Sequence, residues 1–573
     1  MNSLPPGSLI LIGGLLVTLM RGRLRQVFTV AVPIVSFLHL LMAHPEGNVV
    51  AAKFFGHELT PIRVDGLSLV WGYVFHIAAI VAAIYAWRVR DRLQHFAAMT
   101  YVGSSIGAVF AGDLLTLFVY WEITAITSVF LIFANRAGEY AKQTIGTGMR
   151  YVAMHVGSGV LVLAGALLIF RETGSLSFGG VGELGMFHEL ASWGSVWLLV
   201  GFGIKAAFPL LHCWLPDAYP KSTVTGIVFL SAFTTKMAIY ALARGYAGCE
   251  PLLTIGAIMA LFPLVHAVLA DDMRQSLSHI LNNQLGFMVA GVGVGSQMAI
   301  NGVAAQAFAH VIYKGLLFMS IGAVMQQVGS ARQSRLGGLA KAMPWTCVCC
   351  LIGAFSVFPL NCGFVTKALV LGAVAEGHHE WVWLALVIGA VGAFLVAGIK
   401  VPYFTFFAPS QRGNSTESIE PAPMNMRVAM VIAAGICLLI GCVPSLLYNR
   451  LPFECHYHPY TLSHVLQQVQ LLGFTTLGFL LAMRFGFYPS PVRGELLDVD
   501  WVYRKPIPIG FRAAGKFIAE RDPLAWLVQQ VMKSGEWFSH QSSEAGFLGR
   551  TMSTNAMAIS AVVLLAIYLL IYF

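Results

Sequence analysis

Six ionisable side chains stand inside long apolar runs. Glu122 lies in DLLTLFVYWEITAITSVFLIF, Lys205 in VWLLVGFGIKAAFPLLHCWLP and Lys236 in VFLSAFTTKMAIYAL. His310 and Lys314 lie in AQAFAHVIYKGLLFMS, and Lys367 in FSVFPLNCGFVTKALVLGAV. Each is far enough from the end of its run that reaching an interface would strain the side chain, so each is expected to face protein or water. A charge at the centre of a bilayer costs several kcal/mol, which makes such residues candidates for an ion path. Burial disfavours the charged form of a lysine or a carboxylate alike. A buried lysine can then take up and release a proton, and a carboxylate beside it decides which. Glu122 with Lys205 reads as such a switch, and the row of lysines and histidines as a relay. A purely structural ion pair and hydrogen-bonded packing residues are the alternatives. His76 and His155 also fall in apolar runs, and packing explains them as well as function does. Asp113, Asp271 and Asp272 sit at run ends, as caps or loop anchors would, and Lys400 before Pro402 is expected to snorkel to an interface.

The elements that carry these residues are membrane helices. The chain has 573 residues, 57% hydrophobic and only 11% charged, against roughly 25% charged in soluble domains. Runs of about 20 apolar residues, each long enough to cross the hydrocarbon layer, recur from end to end. The expected fold is an all-α polytopic membrane protein with about 16 transmembrane helices. Pro209 follows Lys205 by four residues and removes the N–H that would bond the Lys205 carbonyl. Pro359 and Gly363 precede Lys367 in the same way. Broken helices are expected at both places. They suggest two inverted five-helix repeats, a common transporter plan, with Lys205 and Lys367 in corresponding positions. The divisions are N-terminal helices and a hairpin loop over 1–95, one unit over 96–250, a second over 251–410, and additional helices over 411–486. Residues 487–573 are then a cytoplasmic amphipathic segment and a final span. In that segment Phe517, Ile518, Leu524, Leu527, Val528, Val531 and Met532 recur at helical spacing, as in a helix lying along the membrane plane.

The net charge of +9 does not point to nucleic acid, because the cations fall in short loops between apolar runs. Arg21, Arg23 and Arg25 share one expected side with Arg88, Arg90 and Arg92, with Arg136, Lys142 and Arg150, and with Arg332, Arg335 and Lys341. By the positive-inside rule that side is cytoplasmic, which puts both termini outside. The nine cysteines fall mostly in apolar runs without CxxC spacing, and neither a metal nor another cofactor is expected. A cleavable signal is not expected either.

At these residues the chain resembles the antiporter-like subunits shared by Mrp multisubunit cation/proton antiporters, respiratory complex I and membrane-bound hydrogenases. VDGLS at 64–68 resembles the family's early hairpin region. FPLLHCWLPDAYPKS at 208–222 is similar to the signature PLHxWLPxAH, with Tyr219–Pro220 where a histidine is usual. DDMRQSLSHILNNQLGFM at 271–288 resembles the entrance of span ten, while GFVTK at 363–367 and DVDWVYRK at 498–505 look most like the D-type Mrp subunit. The resemblance implies the span-five glutamate at Glu122, its span-seven lysine partner at Lys205 and the span-eight connecting residue at Lys236. It further implies the central histidine of span eleven at His310, a nearby lysine at Lys314, and the end of the second half-channel at Lys367. Span six departs from some members, with Arg150 and His155 in MRYVAMHVGSG.

The expected function is therefore proton and monovalent-cation translocation within a Mrp-type antiporter of the bacterial inner membrane. The partners would be other membrane subunits, the lipid bilayer, and protons with or without Na⁺ or K⁺. Three alternatives stand beside it. They are a proton-pumping subunit of a complex I-like or hydrogenase assembly, a proton-conducting subunit that energises inorganic carbon uptake, and a structural scaffold with a dead channel. No flavin, iron–sulfur or nucleotide motif is present, so redox chemistry would belong to another chain.

Overall fold

The computed structural model describes residues 4–54, 57–179, 185–409 and 419–492, with Asp498, Trp501, Pro506, Ile509, Gly510 and Ala513 beyond them. The amphipathic segment expected over 512–540 and the last span expected near 554–573 lie outside the described residues, Ala513 apart. Among the described residues ten helices are long and apolar enough to cross a membrane. Three shorter apolar helices accompany them, over Ser8–Leu19, Trp193–Ala206 and Pro344–Ala354. The fold is that of a polytopic helical membrane protein.

A two-stranded antiparallel hairpin, Val49–Phe54 with His57–Arg63, follows the second helix. Carboxylates then start helices where the sequence places them. Asp65 accepts from the Ser68 N–H in a capping box and holds Arg244 through both oxygens at 2.8 Å. Asp113 caps Leu114–Phe133 through the Thr116 N–H at 2.7 Å and ties that helix to the hairpin through the Thr60 N–H at 2.8 Å. Asp272 caps Met273–Val294, and Asp271 anchors Ser334. These are the roles expected of residues at run ends.

Two spans are broken. The Trp193–Ala206 helix stops because Ala207 turns left-handed, with φ 60°, and the Ala207 and Phe208 N–H groups turn back to the Gly203 carbonyl. Leu210 has φ 71°, and helix resumes at Trp214–Ala218. The Pro344–Ala354 helix ends without a left-handed residue, the Phe355 N–H bonding back to the Leu351 carbonyl at 2.8 Å; Leu360 then has φ 74°, and Cys362–Glu376 follows. Asn361 stitches this second break. Its Nδ2 donates to the Ile352 carbonyl at 2.8 Å and its Oδ1 accepts from the Cys362 N–H at 2.8 Å.

The two breaks do not place their lysines alike. Lys205 is near the end of the half-helix before its break, whereas Lys367 is in the half-helix after. The expectation of corresponding positions is corrected here. Each lysine sits where its own half-helix faces the core, and proline spacing says nothing of which half that is. Between the breaks runs Gln297–Val328, a helix of 32 residues. In its most apolar window 94% of residues are buried, and its His310 and Lys314 lie inside the protein.

Candidate functional site

Lys205 is fully buried, and its ammonium is held by the Leu114–Phe133 helix. Nζ donates to the Trp121 carbonyl at 2.6 Å and to Thr124 Oγ1 at 3.1 Å, and lies 4.3 Å from the centre of a Trp121 ring. Trp121 is itself fixed, since its indole N–H donates to Ser158 Oγ at 2.9 Å and Ser158 donates to the Gly201 carbonyl at 2.7 Å. Thus the helix that carries Lys205 also orients, through Ser158, the residue that receives it. Glu122 comes from the same turn but points elsewhere. Its buried Oε1 has no hydrogen-bond partner, and no ion pair within 4.0 Å joins it to Lys205. The carboxylate fills the space over Gly159, where a side chain of any size would overlap it. An ammonium and a carboxylate thus stand close enough to feel each other's charge without forming an ion pair.

Lys236 follows a kink at Phe233, between the Gly226–Ala232 and Thr234–Gly245 helices. Its Nζ takes the Ser231 carbonyl at 2.7 Å and Thr235 Oγ1 at 3.2 Å. His310 is fully buried with neither ring nitrogen hydrogen-bonded, and Tyr313 packs edge-on against it at 5.3 Å. Lys314 and Lys367 line a common cavity of ≈ 20 Å³ together with Gln284, Tyr313 and Ser356. That is room for about one water. Lys367 also lies 4.9 Å over the Phe287 ring.

Polar residues that sequence reasoning passed over join this second group. Gln306 donates to Gln284 Oε1 at 3.3 Å and to the Tyr313 hydroxyl at 3.2 Å, and Tyr313 donates to Gln284 Oε1 at 3.2 Å. Thr366, beside Lys367, donates to Gln306 Oε1 at 2.7 Å. Gln284 in turn donates to Asn283 at 2.5 Å. The signal was present as three successive amides, Asn282, Asn283 and Gln284, inside an apolar run. Uncharged amides cost less to bury than charges, so they drew less notice.

The stretch of chain that carries these residues matches a known family. The family model described as "NADH:quinone oxidoreductase/Mrp antiporter, TM" matches residues 111–392. Hydrogenase-4 component B of Escherichia coli is 27% identical over 71% of this chain and 66% of its own length. The A-type subunit of the Na⁺/H⁺ antiporter of Alkalihalophilus pseudofirmus is 27% identical over 87% of this chain and 67% of its own length. This chain belongs to the antiporter-like membrane subunit family. Among solved structures, the Mrp complex from Dietzia sp. DQ12-45-1b contains a chain of the same fold. It aligns at TM-score 0.75 and 24% identity, over 92% of this chain and 61% of that one. The chain thus spans about two thirds or less of the length of these antiporter-like relatives.

The family match covers Glu122, Lys205, Lys236, His310, Lys314 and Lys367, all inside 111–392. Other expectations change within this antiporter-like fold. Lys400 does not snorkel. It sits in a π-helical stretch, Phe394–Lys400, fully buried, and donates to the carbonyls of Ala267, Val268 and Ala270 at 2.7–3.0 Å. Those carbonyls end the Pro263–Leu269 helix, whose negative pole attracts a cation. His76 is a satisfied packing residue, bonded to Ser36 at 3.0 Å and to the Gly72 carbonyl at 2.7 Å. His155 instead has neither ring nitrogen bonded and is clasped by the Tyr151 and Trp214 rings.

Proposed function

We propose that the chain translocates protons and a monovalent cation as one component of a Mrp-type multisubunit cation/proton antiporter. The observation that carries this is Glu122, whose buried Oε1 has no hydrogen bond although the fully buried Lys205 is near enough to act on its charge. A fixed structural pair would be closed, because leaving a buried charge unpaired is costly. An open pair is one state of a switch. In the other state Lys205 swings from the Trp121 carbonyl towards Glu122, which stabilises its proton. The return motion lets the proton go. Lys236, His310, Lys314 and Lys367, with the Gln284–Gln306–Tyr313 amide and hydroxyl groups and a water in the small cavity, form the rest of the relay.

The Mrp assembly is favoured by the likeness to the A-type antiporter protein, which extends over 87% of this chain. A proton-pumping subunit of a complex I-like or hydrogenase assembly is the second reading, favoured by the likeness to hydrogenase-4 component B. The bacterial inner membrane, cytoplasmic placement of the Arg332–Lys341 loop and the two five-helix units belong to the same proposal. The test is cation-dependent collapse of a pH gradient in vesicles containing the whole complex. Wild type is expected to respond to Na⁺ or K⁺, and Lys205→Ala and Lys367→Ala are expected to be silent though assembled. Unchanged exchange in both variants would sink the translocation reading. Transport that requires a redox substrate instead would move the chain to the second reading.

A further inference from the structure

One cluster of ligating groups plays no part in the relay. His212 and Cys213 stand in the link between Leu210 and the Trp214–Ala218 helix, at the first break. Asp498 approaches them from nearly 300 positions along the chain. Upstream of it, the Val492 N–H donates to the Leu269 carbonyl at 2.9 Å. One ligand atom from each of His212, Cys213 and Asp498 lies within 4.8 Å of the other two. The His212 and Asp498 side chains are only 1% and 9% exposed.

At this cluster the closest contact is short but is not a hydrogen bond. His212 Nε2 is 3.3 Å from Asp498 Oδ2, yet no hydrogen bond joins them, and neither nitrogen of the His212 ring has a hydrogen-bond partner. A plain histidine–carboxylate pair would align its N–H on the oxygen. Two ligand atoms held around one ion need not align in that way. Ligands about 2.0–2.2 Å from a tetrahedral ion stand roughly 3.4 Å from each other, which fits the 3.3 Å observed. The donor set is imidazole nitrogen, thiolate sulfur and carboxylate oxygen. Calcium and magnesium prefer oxygen throughout, whereas nitrogen with sulfur selects zinc-like ions. Phe262 packs edge-on to His212 at 5.1 Å, and His266, stacked on His279 at 5.3 Å, lies behind it. The ring surroundings are apolar on one side and rich in imidazole on the other.

We propose that His212, Cys213 and Asp498 bind a divalent transition-metal ion of the zinc class, with a fourth position left for water. The ion would tie Asp498 to the link after the first broken helix. Neither the relay nor the Mrp reading is needed for this, so its test reads metal binding and not transport.

The full-length chain, purified and stripped with chelator, is titrated with Zn²⁺ and separately with Cd²⁺. Wild type is expected to bind one tight equivalent of Zn²⁺, to gain thermal stability from it, and to show thiolate-to-metal absorption with Cd²⁺. Cys213→Ser should lose the absorption band. Asp498→Asn should weaken Zn²⁺ binding by about tenfold or more and lose the thermal gain. If Cys213→Ser is poorly folded without metal, Asp498→Asn carries the test, because asparagine keeps the size of the side chain and removes only its charge. Absence of tight binding in wild type, or binding in Asp498→Asn equal to wild type, overturns the proposal.

Discussion

Glu122 is the residue whose setting says most about how the site works. Its Oε1 is buried, lacks a hydrogen bond and rests against a glycine. Gly159 is helical, so alanine there costs nothing in backbone conformation. Its methyl group would occupy the space that the Glu122 carboxylate now fills. The side chain is flexible and would move towards Lys205 rather than unfold the helix. Gly159→Ala should therefore assemble normally and lower cation-driven proton transport by about tenfold or more. Normal transport would mean that the open position of Glu122 is not needed. Lys205→Arg asks a second question of the same pocket. Arginine keeps the positive charge but does not release a proton at any relevant pH. A structural cation would tolerate it and a proton carrier would not, so transport should be lost while co-purification with the other membrane subunits is kept.

At the scale of elements, the broken helices were legible and their cause was not. Pro209 and Pro359 flagged the two places correctly, since proline removes a helical N–H. The first helix, however, has already ended at left-handed Ala207, before Pro209 is reached. Gly203 is what permits that ending: the Phe208 ring folds back over it, where a Cβ would collide. The Ile204 carbonyl then accepts from both the Ala207 N–H at 3.2 Å and the Trp214 indole N–H at 2.8 Å. Pro209→Ala should consequently leave the break and transport near wild type, whereas Gly203→Val should displace Phe208 and abolish transport. Comparing the two variants in vesicles checks this, and a silent Pro209→Ala would return the break to the proline. The same contrast explains what else was hidden. Charges in apolar runs announce themselves by their cost, so Glu122 and the lysines could be read directly. Which neighbour a charge finds depends on packing between distant helices, as Lys205 with the Trp121 carbonyl and Lys400 with the end of Pro263–Leu269 show. The amides of Met273–Val294 and Gln297–Val328 meet only because those helices pack together.

For the molecule as a whole, the question is whether the buried residues make one path or two. The first group, Glu122 and Lys205, lies before the Thr234–Gly245 helix in the chain, and the second, Lys314 with Lys367, follows it. Lys236 on that helix and His310 on the central helix stand between them in sequence, and both are buried away from solvent. A single path in series has a distinctive response to combined variants. The slowest step sets the rate, so a second lesion on the same path adds little. Two parallel half-channels behave differently, because each single variant spares the other route and only the double variant stops transport. Lys236→Ala and Lys314→Ala are suited to the comparison, as neither removes the Glu122–Lys205 switch. We expect the double variant to transport at the rate of the slower single variant, within about twofold, the non-additivity usual for residues that act as a unit. Transport measured in the same vesicles, corrected for the amount of assembled complex, supplies all four rates. If each single variant kept about half the activity and the double variant none, the chain would hold two independent routes. Lys236 would then not connect the first group to the second.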